Sequence, residues 1–247
     1  MSKLSQLIRK ASRVEPPPLG FGAVSREATA SMLLLARFPA GPGERLREAA
    51  SRGVDAVLVD GEGAASAASM LKGLSLPWGA LLPEARREAL GPLQEAGVDF
   101  LVFGEGSEAS LFWEEGLGLV LAAREESSDV ELRLLESLPL DALWVPAPPS
   151  PLTVARQLTL RRFSGLARLP LLVEVRPPVD AAYLRGLRDA GVVGVVVDGE
   201  VAWEEIPSLR QTVQSLPARG RRREERPEPV LPAATLLRPP QPEEEEE

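Results

Sequence analysis

Short apolar runs of strand length recur along the chain, separated by segments rich in Ala, Leu, Glu and Arg that carry helical periodicity. The runs are Met32–Arg37, Ala56–Asp60, Trp78–Leu82, Phe100–Gly104, Gly118–Ala122, Ala142–Val145, Leu171–Val175 and Gly194–Asp198. Helical spacing is clearest over Glu84–Glu95, Asp129–Leu138, Val179–Ala190 and Trp203–Leu216. Eight strand–helix units within about 185 residues predict a closed (βα)8 barrel of the α/β class. An open doubly wound sheet is the competing arrangement; near-uniform spacing and the full count of eight favour closure.

An internal repeat points the same way. Gly53-Val54-Asp55 followed by the apolar run to Asp60 is matched by Gly97-Val98-Asp99 and its run, and by Gly191-Val192-Val193 and its run to Asp198. Leu140-Asp141-Ala142-Leu143-Trp144-Val145 is a weaker fourth copy. These are the second, fourth, eighth and sixth strands, so the repeating unit is two βα modules, as expected where alternate strands supply alternate layers of a barrel interior. The pattern of Gly-Val-Asp and then an alternating apolar strand resembles that of the small metabolic TIM barrels, such as tryptophan synthase alpha, thiamine-phosphate synthase and the compact aldolases. The resemblance spans residues 32 to 216 and belongs to the superfamily rather than to one family. It implies a compact single TIM barrel with its site at the C-terminal ends of the strands.

The sequence divides into three parts. Residues 1–31 hold a short basic amphipathic helix and a linker, 32–217 the barrel, and 218–247 an Arg-, Pro- and Glu-rich tail expected to be disordered. In the helix, Leu4, Leu7, Ile8 and Ala11 share one face, while Lys3, Arg9, Lys10 and Arg13 carry its charge. The favoured reading is that this face covers one mouth of the barrel. Binding to a membrane surface or a partner is the other reading, weaker because a dozen residues bury little apolar area.

Composition narrows the chemistry. The 247 residues contain no Cys and no His. Disulfides, zinc sites, thiolate nucleophiles and Ser-His triads are thereby excluded. Lys72 is the one lysine within the barrel segment and falls near the end of the second helix, on the face opposite the usual site, which disfavours a Schiff base. The loop after the seventh strand is Arg176-Pro177-Pro178, and the one after the eighth carries Asp198 and Glu200. Missing N–H donors in the first and negative charge in the second argue against a standard phosphate or FMN site. Gly61-Glu62-Gly63 and Gly104-Glu105-Gly106 read as tight turns rather than as phosphate loops. The net charge is −8, and residues 15–217 alone carry −10, so nucleic acid is a poor partner. No apolar stretch reaches the roughly 18 to 20 residues of a membrane span, and a cytoplasmic protein is expected.

Strand alternation selects the candidate site. Val57 and Val59 suit the helix-facing side, so Ala56, Leu58 and Asp60 face inward; the same register turns Gly194, Val196 and Asp198 inward, and on the seventh strand Glu174 and Arg176. Trp144 is also expected inside and could floor a pocket. Arg37 ends the first strand and Arg124 follows the fifth. Two readings follow. In the first, Asp60, Glu174 and Asp198 act as catalytic groups or as ligands to Mg²⁺ or Mn²⁺, and Arg176, Arg37 and Arg124 anchor a small carboxylate or oxo-acid metabolite in a metal-assisted lyase or isomerase. In the second, the same groups neutralise one another, and the protein is a degenerate barrel that serves as a scaffold or binding module, with its terminal segments as contacts for a protein partner. The absence of His, a placed Lys and a phosphate loop favours the second.

Overall fold

The computed structural model describes residues 1–12, 32–39, 43–61, 64, 76–146, 148 and 150–217. The linker, most of the second helix with Lys72, the Glu62-Gly63 turn and the tail from residue 218 lie outside the described residues. The elements in chain order are α1 (Lys3–Ser12), β1 (Leu33–Phe38), α2 (Gly43–Glu48), β2 (Ala56–Asp60), β3 (Trp78–Leu82), α3 (Arg87–Glu95), β4 (Phe100–Phe103) and β5 (Gly118–Ala122). They continue with α4 (Asp129–Leu134), β6 (Ala142–Val145), α5 (Val154–Ala167), β7 (Leu171–Glu174), α6 (Ala181–Asp189), β8 (Val192–Asp198) and α7 (Ile206–Ser215). All strand pairs are parallel, and β8 returns to β1, closing the barrel. The open-sheet alternative is thereby excluded. Among the described residues no helix is long and apolar enough to cross a membrane.

Side chains partition by strand alternation into two cores. Val57, Val59, Leu171, Val173 and Val175 join the layer between strands and helices. Ala56, Leu58, Phe100, Val102, Trp144, Leu172 and Val196 fill the barrel itself. Phe100 is the bulkiest side chain low in that interior after closure, and its register partners on both sides are glycines, Gly79 and Gly118. A Cβ at Gly79 would lie 2.3 Å from the Phe100 ring, so the glycine is what makes room for it.

The repeated Gly-Val-Asp has a structural meaning at the N-terminal ends of the strands. Gly53, Gly97 and Gly191 all adopt positive φ, a conformation that a side chain would strain, and turn the chain into its next strand. The aspartates then bind backbone. Asp55 accepts the N–H of Leu34 at 2.8 Å and Asp141 that of Leu119 at 3.0 Å, each tying its strand to the preceding one. Asp99 instead accepts the N–H groups of Lys3 and Leu4 at 2.7 and 2.8 Å, capping α1. The helix so held turns Leu4, Ile8 and Ala11 into the barrel interior, where they pack with Leu33, Phe100 and Val193. Its apolar face therefore closes the N-terminal mouth, as the favoured reading expected.

One capping device is pH-sensitive. Ser128 and Glu131 form a reciprocal capping box on α4: Glu131 accepts the Ser128 N–H at 2.6 Å, and the Ser128 hydroxyl accepts the Glu131 N–H at 3.2 Å. The Ser128 backbone bond, then its side-chain bond, holds the Glu131 carboxyl below its ordinary value. A lowered folded-state value makes the contribution present at neutral pH and lost as pH falls through that value. The expected NMR titration midpoint of Glu131 lies below that of an exposed glutamate, and it moves up in Ser128→Ala. A wild-type midpoint at the ordinary value would contradict the cap.

Candidate functional site

Closure of the barrel brings together charges that the chain holds far apart. Arg37, Asp60, Glu174 and Asp198 lie at the C-terminal ends of β1, β2, β7 and β8, four consecutive staves in the order β7-β8-β1-β2. Arg37 pairs in register with Asp198 across β1 and β8. Its guanidinium makes a two-pronged bond to Asp60, Nε to Oδ1 and Nη2 to Oδ2, both at 2.9 Å. The side chains are partly exposed, 30% for Arg37 and 24% for Asp60. The Asp60 hydrogen bond and charge raise the Arg37 pKa; Glu174 and Asp198 add to the effect, and burial opposes it. Arg37 is thus a permanent cation set among three carboxylates.

The other two carboxylates differ. Asp198 Oδ1 accepts the N–H groups of Glu200 at 2.8 Å and Val201 at 3.0 Å, which folds the loop after β8 back on its own strand. The Gly199 N–H is donated to the Arg37 carbonyl at 2.7 Å. Three successive amides that could face an anion are therefore occupied. The Glu174 side chain, half-buried on β7, has neither a hydrogen bond nor an ion pair among the described residues, and it interacts with Arg37 through charge alone. Among the described residues, no three carboxylates are grouped in a metal-binding arrangement.

The remaining candidates do not join this cluster. Arg124, beyond β5, pairs with Glu105, beyond β4, at 2.9 Å on the other side of the same C-terminal rim, where both are well exposed. Arg176 is exposed past the end of β7, with no ion pair among the described residues. Trp144 lies in the interior as expected, at 7% exposure. Arg156 on α5 was not legible as a site residue. It binds Glu125 at 2.6 Å, its side chain is 12% exposed, and its buried Nε has no partner. It falls in the first turn of a helix, and strand alternation says nothing about such positions.

Comparison with solved structures identifies the class. Thiamine phosphate pyrophosphorylase from Pyrococcus furiosus is similar over 75% of this chain and 96% of its own, with a TM-score of 0.55 and 16% identity. A mutant tryptophan synthase alpha-subunit from the same organism is similar over 74% and 97%, with a TM-score of 0.58 and 16% identity. An HpcH/HpaI aldolase/citrate lyase family protein from Burkholderia cenocepacia J2315 is similar over 87% and 98%, with a TM-score of 0.56 and 14% identity. The protein is a TIM barrel. No protein-family model and no curated protein matches the chain, and identities this low carry the fold alone.

Proposed function

We propose that this barrel is a binding or scaffold module whose catalytic mouth is closed by its own ion cluster. The observation that carries this reading is the two-pronged Arg37–Asp60 bond between the C-terminal ends of β1 and β2. It takes both oxygens of Asp60, while the loop amides take one oxygen of Asp198. Two of the three candidate catalytic carboxylates are thereby committed to holding the fold, and the amides after β8 are unavailable to a phosphate. Leu35, Leu58 and Val196 fill the interior behind this cluster.

The second reading, a metal-assisted lyase or isomerase acting on a small carboxylate, is favoured by one residue. Glu174 remains an uncommitted carboxylate in the mouth, placed to take Mg²⁺ or Mn²⁺ or to act as a base. Thermal unfolding with Mg²⁺, Mn²⁺ and a panel of oxo-acids separates the two. The module reading expects melting temperatures unchanged by every ligand, in the wild type and in Glu174→Gln alike. Stabilisation of the wild type by a metal or an oxo-acid that disappears in Glu174→Gln and Asp60→Asn would decide for the enzyme.

A further inference from the structure

Seven large apolar side chains stand in water among the described residues, and four of them fall on two neighbouring helices. They are Val130 and Leu134 on α4 and Val154 and Leu158 on α5, each between 61% and 74% exposed. Each pair is spaced i, i+4 and so runs along one side of its helix, away from the buried Leu132 of α4 and the buried Leu160 and Phe163 of α5. Three ion pairs hold the helices side by side: Arg156–Glu125 at 2.6 Å, Arg162–Asp129 at 2.6 Å and Arg168–Glu136 at 2.9 Å. Asp129 precedes Val130, and Arg162 lies one turn beyond Leu158, so the two apolar pairs form one face. Single exposed aliphatics are ordinary, whereas four on adjoining helices mark a contact surface.

We infer that this face is the contact between two copies of the chain, with α4 of each copy lying on α5 of the other. Charge selects the second copy. Helix α5 holds Arg156, Arg161 and Arg162 and no acid, whereas residues 125–136 hold five acids and one arginine. The surface therefore carries a basic half and an acidic half next to each other. A twofold axis along the seam between the helices sets each basic half on the acidic half of the other copy, and apolar on apolar, twice over. Arg161, exposed and without an ion pair among the described residues, is a cation left for that contact.

Gly165 belongs to the same face. It continues the stripe of Val154, Leu158 and Arg161 at i+11, it does not adopt positive φ, and a Cβ there would meet nothing within 4 Å. Glycine weakens a helix, and nothing inside the chain calls for one at this position. Close approach of a second backbone does. Helix α5 is about 21 Å long at 1.5 Å per residue. With α4 beside it the face measures roughly 20 Å each way, smaller than the standard of about 800 Å² per partner. The dimer is therefore weak and depends on concentration.

Sedimentation of the full chain from about 1 to 500 μM reads it. The wild type is expected to pass from monomer to dimer within that range. Leu134→Glu and Leu158→Glu should each weaken association by about tenfold or more. Val201→Glu, at a still more exposed position in the loop after β8, should leave it unchanged. Gly165→Leu separates a fitted contact from general adhesion: the added side chain has room in the monomer, and it should abolish the dimer by holding the helices apart. Each substituted position faces water or open space, so circular dichroism of every variant should match the wild type. Because the chain has no cysteine, an oxidised equal mixture of Leu134→Cys and Leu158→Cys chains should give the mixed disulfide in excess over both homodimers. A wild type that stays monomeric at the highest concentration overturns the proposal. So do unchanged association in Leu134→Glu and Leu158→Glu, equal loss in Val201→Glu, tighter association in Gly165→Leu, or an excess of homodimeric disulfides.

Discussion

Leu4→Asp is expected to lose about 4 kcal/mol or more of unfolding free energy, a large part of the roughly 5 to 15 kcal/mol that holds a typical domain. Leu4 is fully buried inside the barrel. Removing its side chain leaves a cavity over Phe100 and Leu33, and a carboxylate there has no partner. The protein can respond only by burying the charge or by releasing α1 and wetting the barrel floor. Denaturant titration reads the loss, and trypsin cleavage at Arg9 and Lys10 reports release. Asp99→Ala tests the same seat from the other side. It removes the acceptor for the Lys3 and Leu4 N–H groups and should cost about 1 to 2 kcal/mol, the usual range for a helix cap. Wild-type stability in Leu4→Asp would mean that α1 is not the floor of this barrel.

Arg37→Leu should destabilise the protein by about 1 to 3 kcal/mol, a range held down because the pair is partly exposed to solvent. The lost ion pair is the smaller part of the effect. Without the guanidinium, Asp60, Glu174 and Asp198 face one another across the four consecutive strands β7-β8-β1-β2 with no cation between them. Their repulsion is screened by salt, so the loss should shrink in 1 M NaCl. A variant as stable as the wild type at low salt would show that Arg37 does not organise the mouth. The Arg37 pKa lies above its ordinary value, so its own contribution is present throughout the neutral range and is lost only as pH rises through the raised value.

Much of this architecture is legible in the sequence because barrel strands alternate strictly. Val57 and Val59 against Ala56, Leu58 and Asp60 can be sorted by parity alone, and the two cores follow that sorting. The same parity places Glu174 in the mouth. Arg176, two positions past the end of β7, is exposed and makes no ion pair among the described residues. The repeat was legible as a period, whereas its role was not. Asp55, Asp99 and Asp141 act through backbone N–H groups of other segments, and Asp99 reaches 95 residues back in the chain to Leu4. The Arg37–Asp60 bond was likewise beyond reach of pattern. Three arginines met the same rule, and only one proved to have a carboxylate in bidentate position.

The sequence by itself determined the class of fold, the inward and outward faces of its strands, the apolar face of α1 and the exclusion of His and Cys chemistry. These are properties of spacing and composition, and they hold whatever the chain contacts. Tertiary structure alone decided where that apolar face goes, which of the charges meet, and that the exposed apolar pairs of α4 and α5 form one face. The seat of α1 and the meeting of Arg37 with Asp198 depend on closing β8 against β1. Closure makes neighbours of residues more than 100 positions apart, and no local period encodes those distances.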